Sequence, residues 1–222
     1  MKEDSIIGNL HIHICILGSV RTNCYILCNK LTNEAIVIDP ADQANVIIDY
    51  INNQNLLLKG VLLTHGHFDH ILAAAAIARE YGVKIYANEN ERELLADSHM
   101  NFSKTAGCDY GMEPDEVLKD GQVLNLAGFK IKVIHTPGHT IGSSCYYLEN
   151  EKVLFSGDTL FRETVGRTDL PTGNFSAIIS SVKEILMLLE DEVLVYPGHG
   201  ESTTIGYERE NNEYLNVDRF WE

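Results

Sequence analysis

The sequence predicts an α/β fold, and two observations carry that expectation. Strand-like apolar runs end repeatedly in turns that contain glycine, as after residues 61–63, 129–134, 152–155 and 193–195. Longer segments with apolar residues at helical spacing lie among them, at 46–51, 71–77 and 175–189.

The elements follow in order. Residues 11–17 alternate, with Ile12, Ile14 and Ile16 on one face and His11, His13 and Cys15 on the other, the mark of a half-buried strand. His11 and His13 are read as part of a solvated face. Residues 23–28 and 35–38 are the next two strands, around a turn at 29–33, and Asp39-Pro40 ends that run. Val46, Ile47, Tyr50 and Ile51 form the stripe of a helix. A short strand at 84–86 precedes a polar helix at 89–97 and a surface loop at 98–112, with His99 exposed on it. Strands 122–126 and 129–134 pair around Ala127-Gly128, and 143–148 pairs with 152–155. A polar loop, 161–173, leads to the amphipathic helix, with Asn174 or Thr172 as its cap. Residues 204–215 read as a closing surface helix. No linker, low-complexity tract or fixed-period repeat interrupts the chain, so residues 1–222 are read as one domain.

Charge and cysteine usage narrow the function classes. Seventeen Lys and Arg against 32 Asp and Glu leave a formal charge of −15, which repels nucleic acid and anionic membrane. The five cysteines are odd in number and scattered, unlike a disulfide framework. Cys24 and Cys28 lie in an apolar run and read as buried thiols rather than a metal site. Residues 1–10 lack a signal-peptide pattern, and no apolar run nears the roughly 20 residues that span a bilayer. A cytoplasmic location is expected.

The chemistry concentrates in Val61-Leu-Leu-Thr-His-Gly-His-Phe-Asp-His70. His65, His67, Asp69 and His70 arrive within six positions, directly after a strand. Imidazoles with one carboxylate suit zinc, and also iron, better than calcium or magnesium. Four such groups would crowd a single ion, so two adjacent ions are expected. His139, Asp158 and His199 each follow a later strand end in a similar turn, and ligands presented from strand ends on one edge can converge.

Thr64-His-x-His-x-Asp-His70, Pro137-Gly-His139-Thr, Ser156-Gly-Asp158-Thr and Pro197-Gly-His199-Gly together resemble the signature of the metallo-β-lactamase-fold hydrolases. The resemblance implies a four-layer αβ/βα sandwich with the metal site at one edge of the sheets. It implies two Zn2+ per chain, with iron or manganese as other occupants. His65, His67 and His139 would hold the first ion and Asp69, His70 and His199 the second, with Asp158 bridging. Asp69 would be the catalytic residue, orienting a metal-bound hydroxide and handling a proton. Thr64, Thr140 and Thr159 are candidates to support these ligands.

Gly157-Asp-Thr-Leu-Phe161 and Gly166-Arg-Thr-Asp169 are similar to the glyoxalase II-like (hydroxyacylglutathione hydrolase-like) group. That similarity implies a small-molecule thioester or ester substrate, with Arg167, and Arg162 after it, binding an anionic group. Asp158 stands where zinc β-lactamases of the commonest subclass carry Cys, which points away from antibiotic hydrolysis. Residues 200–222 offer room for one helix rather than the C-terminal helical domain of glyoxalase II proper, which turns the expectation toward a smaller thioester, a lactone or another ester. The alternative is a persulfide dioxygenase, whose relatives share the Gly-Arg-Thr-Asp stretch and would use one iron on His65, His139 and Asp158. A lactonase or a non-catalytic metal-binding module is less favoured.

Overall fold

The computed structural model describes residues 4–215. Two sheets face each other. The first runs in chain order: β1 (Ser5–Ile7), β2 (Leu10–Leu17), β3 (Thr22–Asn29), β4 (Glu34–Ile38), β5 (Leu57–Leu62), β6 (Ile85–Asn88) and β7 (Glu116–Leu118). The second contains β8 (Val123–Leu126), β9 (Phe129–His135), β10 (Ser144–Leu148) and β11 (Val153–Gly157). A ribbon of β12 (Leu160–Phe161) and β13 (Thr164–Val165) follows, and β14 (Leu194–Pro197) and β15 (Thr203–Thr204) complete the second sheet on the far side of β11. Six α-helices are described: α1 (Ala44–Asn53), α2 (Phe68–Ile71), α3 (Ala74–Tyr81), α4 (Arg92–Ala96), α5 (Phe175–Ser180) and α6 (Ile205–Asn211). None of the described helices is long and apolar enough to cross a membrane.

Strands buried on both faces explain the layering. In β3, Cys24 and Ile26 pack with Ile47 and Ile51 of α1 and Ile77 of α3, whereas Tyr25 and Leu27 face the other sheet. In β10, Tyr146 and Leu148 join that central core, and Cys145 and Tyr147 pack with Ile178 and Ile205. The period-two alternation of a strand thus feeds one core on each face. Three cores between helices, sheet, sheet and helices make the expected four-layer αβ/βα sandwich.

Several elements differ from the sequence reading at their ends. The helix expected to run from Ile71 is two pieces, α2 and α3, and Gly82 closes the second at φ 63, the left-handed conformation glycine adopts freely. Helix 89–97 begins as a tight 3-10 turn, Glu89–Glu91. Asn174 is the cap of α5, accepting from the Ala177 amide at 3.0 Å, and a π-helical turn, Ser181–Ile185, continues that helix. Thr203–Thr204 is a short strand and Thr204 caps α6, so the closing helix spans Ile205–Asn211. Cys15, Cys24, Cys28 and Cys145 are buried free thiols, and Cys108 is exposed.

The site edge follows from strand direction. β4, β5 and β6 are parallel, as are β11 and β14, so their C-terminal ends open on one side of each sheet. Hydrogen bonds stitch the two sheets together there. Asn23 donates its amide to Gly198 O at 2.7 Å, the Tyr25 hydroxyl donates to Pro197 O at 2.5 Å, and the Tyr146 hydroxyl donates to Leu63 O at 2.6 Å.

Candidate metal centre

β5 delivers Thr64 through His70, the turn after β9 delivers His139, and the turns ending β11 and β14 deliver Asp158 and His199. The ligand atoms of His65, His67 and His139 all lie within 4.8 Å of one another, and those of Asp69, His70 and His199 do so as well. Asp158 stands between the two groups. Its Oδ2 is 3.6 Å from His139 Nε2 and 3.6 Å from His199 Nε2, and its Oδ1 is 3.4 Å from His70 Nε2.

The surrounding fold sets the histidine tautomers. His70 Nδ1 donates to Asp39 Oδ2 at 2.9 Å, which turns Nε2 toward Asp69, Asp158 and His199. His139 Nδ1 donates to the Arg167 carbonyl at 2.8 Å, since a carbonyl can only accept. The single proton of the Thr64 hydroxyl goes to Asp39 Oδ2 at 2.6 Å, so His65 Nδ1, 3.1 Å from that hydroxyl, is the donor to it. In each ring Nε2 is thereby the nitrogen turned toward the centre, where a cation would take the place of the His70 proton and of the 2.9 Å contact between His67 Nδ1 and His139 Nε2.

Three buried atoms test whether a metal fits. His65 Nε2, His67 Nε2 and Asp158 Oδ1 have no hydrogen-bond partner, and each such orphan costs about 1–3 kcal/mol. Nitrogens and carboxylate oxygens converging at this spacing are a donor set for zinc or iron, and a divalent cation would satisfy it. Burial, then the neighbouring rings, hold His65 well below the usual histidine range and lower His67 to about 3, so both stay neutral as ligation requires. Burial opposes charge on His70 too, but Asp69, Asp158 and Asp39 raise it to about 10, so an entering cation displaces a proton there. Burial likewise opposes charge on Asp69, yet His70, His199 and the Thr22 hydroxyl, which donates at 2.8 Å, hold its carboxyl well below the usual range.

A cavity of about 680 Å³ opens onto these groups. His67, Asp69, His139, Asp158 and His199 line it together with apolar side chains and Arg167. Residues 17–199 match the family model described as the metallo-beta-lactamase superfamily. The chain belongs to that superfamily. It is 36% identical to hydroxyacylglutathione hydrolase GloC of Haemophilus influenzae over 210 residues, 93% of this chain and 99% of the relative. The crystal structure of BLEG-1 B3 metallo-beta-lactamase superposes with a TM-score of 0.87 at 36% identity, covering 92% of this chain and 99% of that one. That of TTHA1623 in a di-iron-bound form gives 0.81 at 31% identity, covering 91% and 100%.

The two arginines singled out from the sequence lie apart. Arg167 is on the cavity wall, where its Nε and Nη2 donate to Asp169 Oδ1 and Oδ2 at 2.7 Å each. Arg162 is not among the cavity-lining residues. It stacks over the Tyr207 ring at 4.8 Å and pairs with Glu201 at 3.5 Å. Of the threonines, Thr64 meets His65, Thr140 donates to Glu91 at 3.0 Å, and Thr159 pairs with Thr136 at 3.0 Å.

Two acids at the site were not singled out from the sequence, Asp39 and Glu91. Asp39 also accepts the Thr64 amide at 2.8 Å. Glu91, fully buried, accepts the Gly66 amide at 2.9 Å on Oε1, and on Oε2 the Gly142 amide at 2.7 Å and the Thr140 hydroxyl. It ties the loop of His65 and His67 to the loop of His139. The end of β4 beside the end of β5 is a signal that could have pointed to Asp39. Nothing in the sequence separates Glu91 from Glu89 and Glu93, which are exposed.

Proposed function

We propose that this protein hydrolyses a thioester or related ester of a small molecule. Two divalent cations, zinc foremost, would be held by His65, His67 and His139 and by Asp69, His70 and His199, with Asp158 between them. The placement of Asp158 between two complete donor groups, at the floor of a cavity, carries this reading. When bound, such a pair of ions supplies Lewis acidity and brings the pKa of a coordinated water from 15.7 down to about 7.

The chain's own groups do the rest. Asp69 Oδ2, steadied by the Thr22 hydroxyl and 3.2 Å from His199 Nε2, lines the cavity, where it can take a proton from an attacking water and return it to the departing thiolate or alkoxide. Asp158 offsets positive charge shared by the two donor groups. The hydrogen bonds that the imidazoles donate to Asp39, Thr64 and the Arg167 carbonyl keep them oriented, so little reorganisation is needed during the reaction. Apolar side chains of Phe68, Phe102, Phe161, Val165 and Leu170 line the cavity beside these groups.

The name of the Haemophilus relative supports a thioester substrate; the BLEG-1 likeness adds a β-lactam amide to the compounds to assay, although Asp158 argues against it, and the persulfide dioxygenase stays the alternative. A dioxygenase with one iron on His65, His139 and Asp158 would leave the group of Asp69, His70 and His199 without a role. Elemental analysis of protein purified without added metal, with hydrolysis assays on S-lactoylglutathione, acyl thioesters, simple lactones and a β-lactam, tests the proposal. Two metal ions per chain and thioester turnover that Asp158→Asn abolishes are expected. One iron with oxygen consumption on a persulfide would overturn it.

A further inference from the structure

Both donor groups are flanked by phenylalanine. The Phe102 ring stands edge-on to His67 with centroids 6.3 Å apart, and Phe161 lies 6.3 Å from His199. Phe68, Val165 and Leu170 continue the same wall. Phe102 is held there at a cost, because its φ of 66 is a region bulky side chains rarely enter. The residues on either side of it fix it in place. Buried Asn101 donates to Tyr110 O at 2.9 Å, accepts from the Ser103 amide at 2.9 Å, and through its carbonyl accepts the Phe68 amide at 2.8 Å. A loop fastened in this way to the residue following His67 presents an aromatic face to the reacting centre rather than closing over it.

Charge on the wall points the same way. Among the described residues that line the cavity Arg167 is the one Lys or Arg, and its Nε and Nη2 face is paired with the Asp169 carboxylate, which offsets its charge. Arg162 is matched by Glu201 and Glu163. Neither guanidinium presents an unmatched positive charge to the carboxylates of a peptide thiol.

Resting on the hydrolase reading, we infer that the site selects thioesters or esters with an apolar acyl chain and an uncharged leaving group, with Phe102 and Phe161 forming the acyl wall. The acyl chain lies along the phenylalanines, while the leaving group meets the neutralised Arg167–Asp169 pair.

Steady-state kinetics on the metal-loaded protein separate the two parts of this inference. Acyl N-acetylcysteamine thioesters from acetyl to hexanoyl vary the apolar chain alone, and kcat/KM is expected to climb roughly two- to fourfold per methylene. Phe102→Ala and the milder Phe102→Leu are expected to flatten that series. Hexanoyl-N-acetylcysteamine and S-hexanoylglutathione share one acyl group and differ in leaving-group charge. The neutral compound is expected to lead by about tenfold, and Asp169→Asn, which releases Arg167, to shift that ratio toward the glutathione thioester. A series flat in chain length, or a preference for the glutathione thioester in the unaltered chain, would overturn the inference and leave the hydrolase reading standing. Absence of turnover on every thioester would overturn both.

Discussion

Asp39 accepts the Nδ1 proton of His70 at 2.9 Å and, on the same oxygen, the Thr64 hydroxyl at 2.6 Å. One carboxylate thereby sets the tautomer of a histidine in each donor group, His70 directly and His65 through Thr64. Its position is exacting, since Asp39 is 1% exposed and sits at φ 49 just past β4. Asp39→Asn cannot serve all three donors, because one of its two polar atoms is an NH2. Zinc affinity, measured against a chromophoric chelator, is expected to fall about 10- to 100-fold with the fold kept. Unchanged affinity would remove Asp39 from the support of the site.

Cation binding is also expected to stabilise the chain. His65 Nε2, His67 Nε2 and Asp158 Oδ1 gain partners only when something binds between them. Chelated protein titrated with zinc should therefore gain stability in urea, by about 2.7 kcal/mol once free zinc reaches a hundred times its Kd. Asp158→Asn should shrink that gain. A stability indifferent to zinc would mean that the cluster holds no ion.

Glu91 makes a prediction about pH. Burial, outweighing its three hydrogen bonds, raises its carboxyl from 4.5 to about 7. The folded chain then holds a proton on Glu91 that the unfolded chain has released, so this contribution to stability is complete below pH 4.5 and is lost as pH rises through 7. The amount is at most about 3 kcal/mol. Urea midpoints of chelated protein at pH 5 and 7.5 should differ less in Glu91→Gln than in the unaltered chain. Parallel pH profiles would show that Glu91 is already ionised at pH 5.

The layers and the metal-site edge were legible because both rest on local pattern. Short continuous apolar runs such as 23–28 and 143–148, and strand-to-glycine turns, survive in any context that buries both faces of a sheet. That the seven histidine and aspartate side chains converge was legible for the same reason, since they sit in turns that follow such runs. Elements set by a distant partner were not. β1, β7, β15 and the ribbon of β12 and β13 are two or three residues long, too short for a period, and exist because a neighbouring strand pairs with them. Asp39 read as the end of a strand and Glu91 as one acid of a polar helix. Their roles depend on contacts 25 or more residues away, with Thr64 and Gly66. The pairing of Arg167 with Asp169 lay within a motif read for its likeness alone, and a carboxylate two positions from an arginine was visible there as a competing partner.

Gly198 separates a fault in the site from a fault in the fold. A Cβ at this position would come within 2.1 Å of Asp158 Oδ1 and 2.7 Å of His70 Cε1. Its backbone lies outside the left-handed region, so alanine is strained there by those contacts and, more mildly, by the Gly157 carbonyl carbon at 3.3 Å. Relief must come from Asp158 or His70 moving, and displacing a reacting group by about 1 Å can cost 100-fold in rate. Gly198→Ala is therefore expected to lose most thioester turnover and part of its bound metal while its far-UV circular dichroism is unchanged. Gly138→Ala is the contrast, since its Cβ would meet the Ile178 backbone nitrogen at 2.2 Å at a φ of 140. Ile178 does not belong to the donor groups, so the first effect is lost stability, about 1–3 kcal/mol of overpacking, read as a lower unfolding midpoint. Full turnover in Gly198→Ala, with metal content intact, would show that Asp158 has freedom the close packing around it denies.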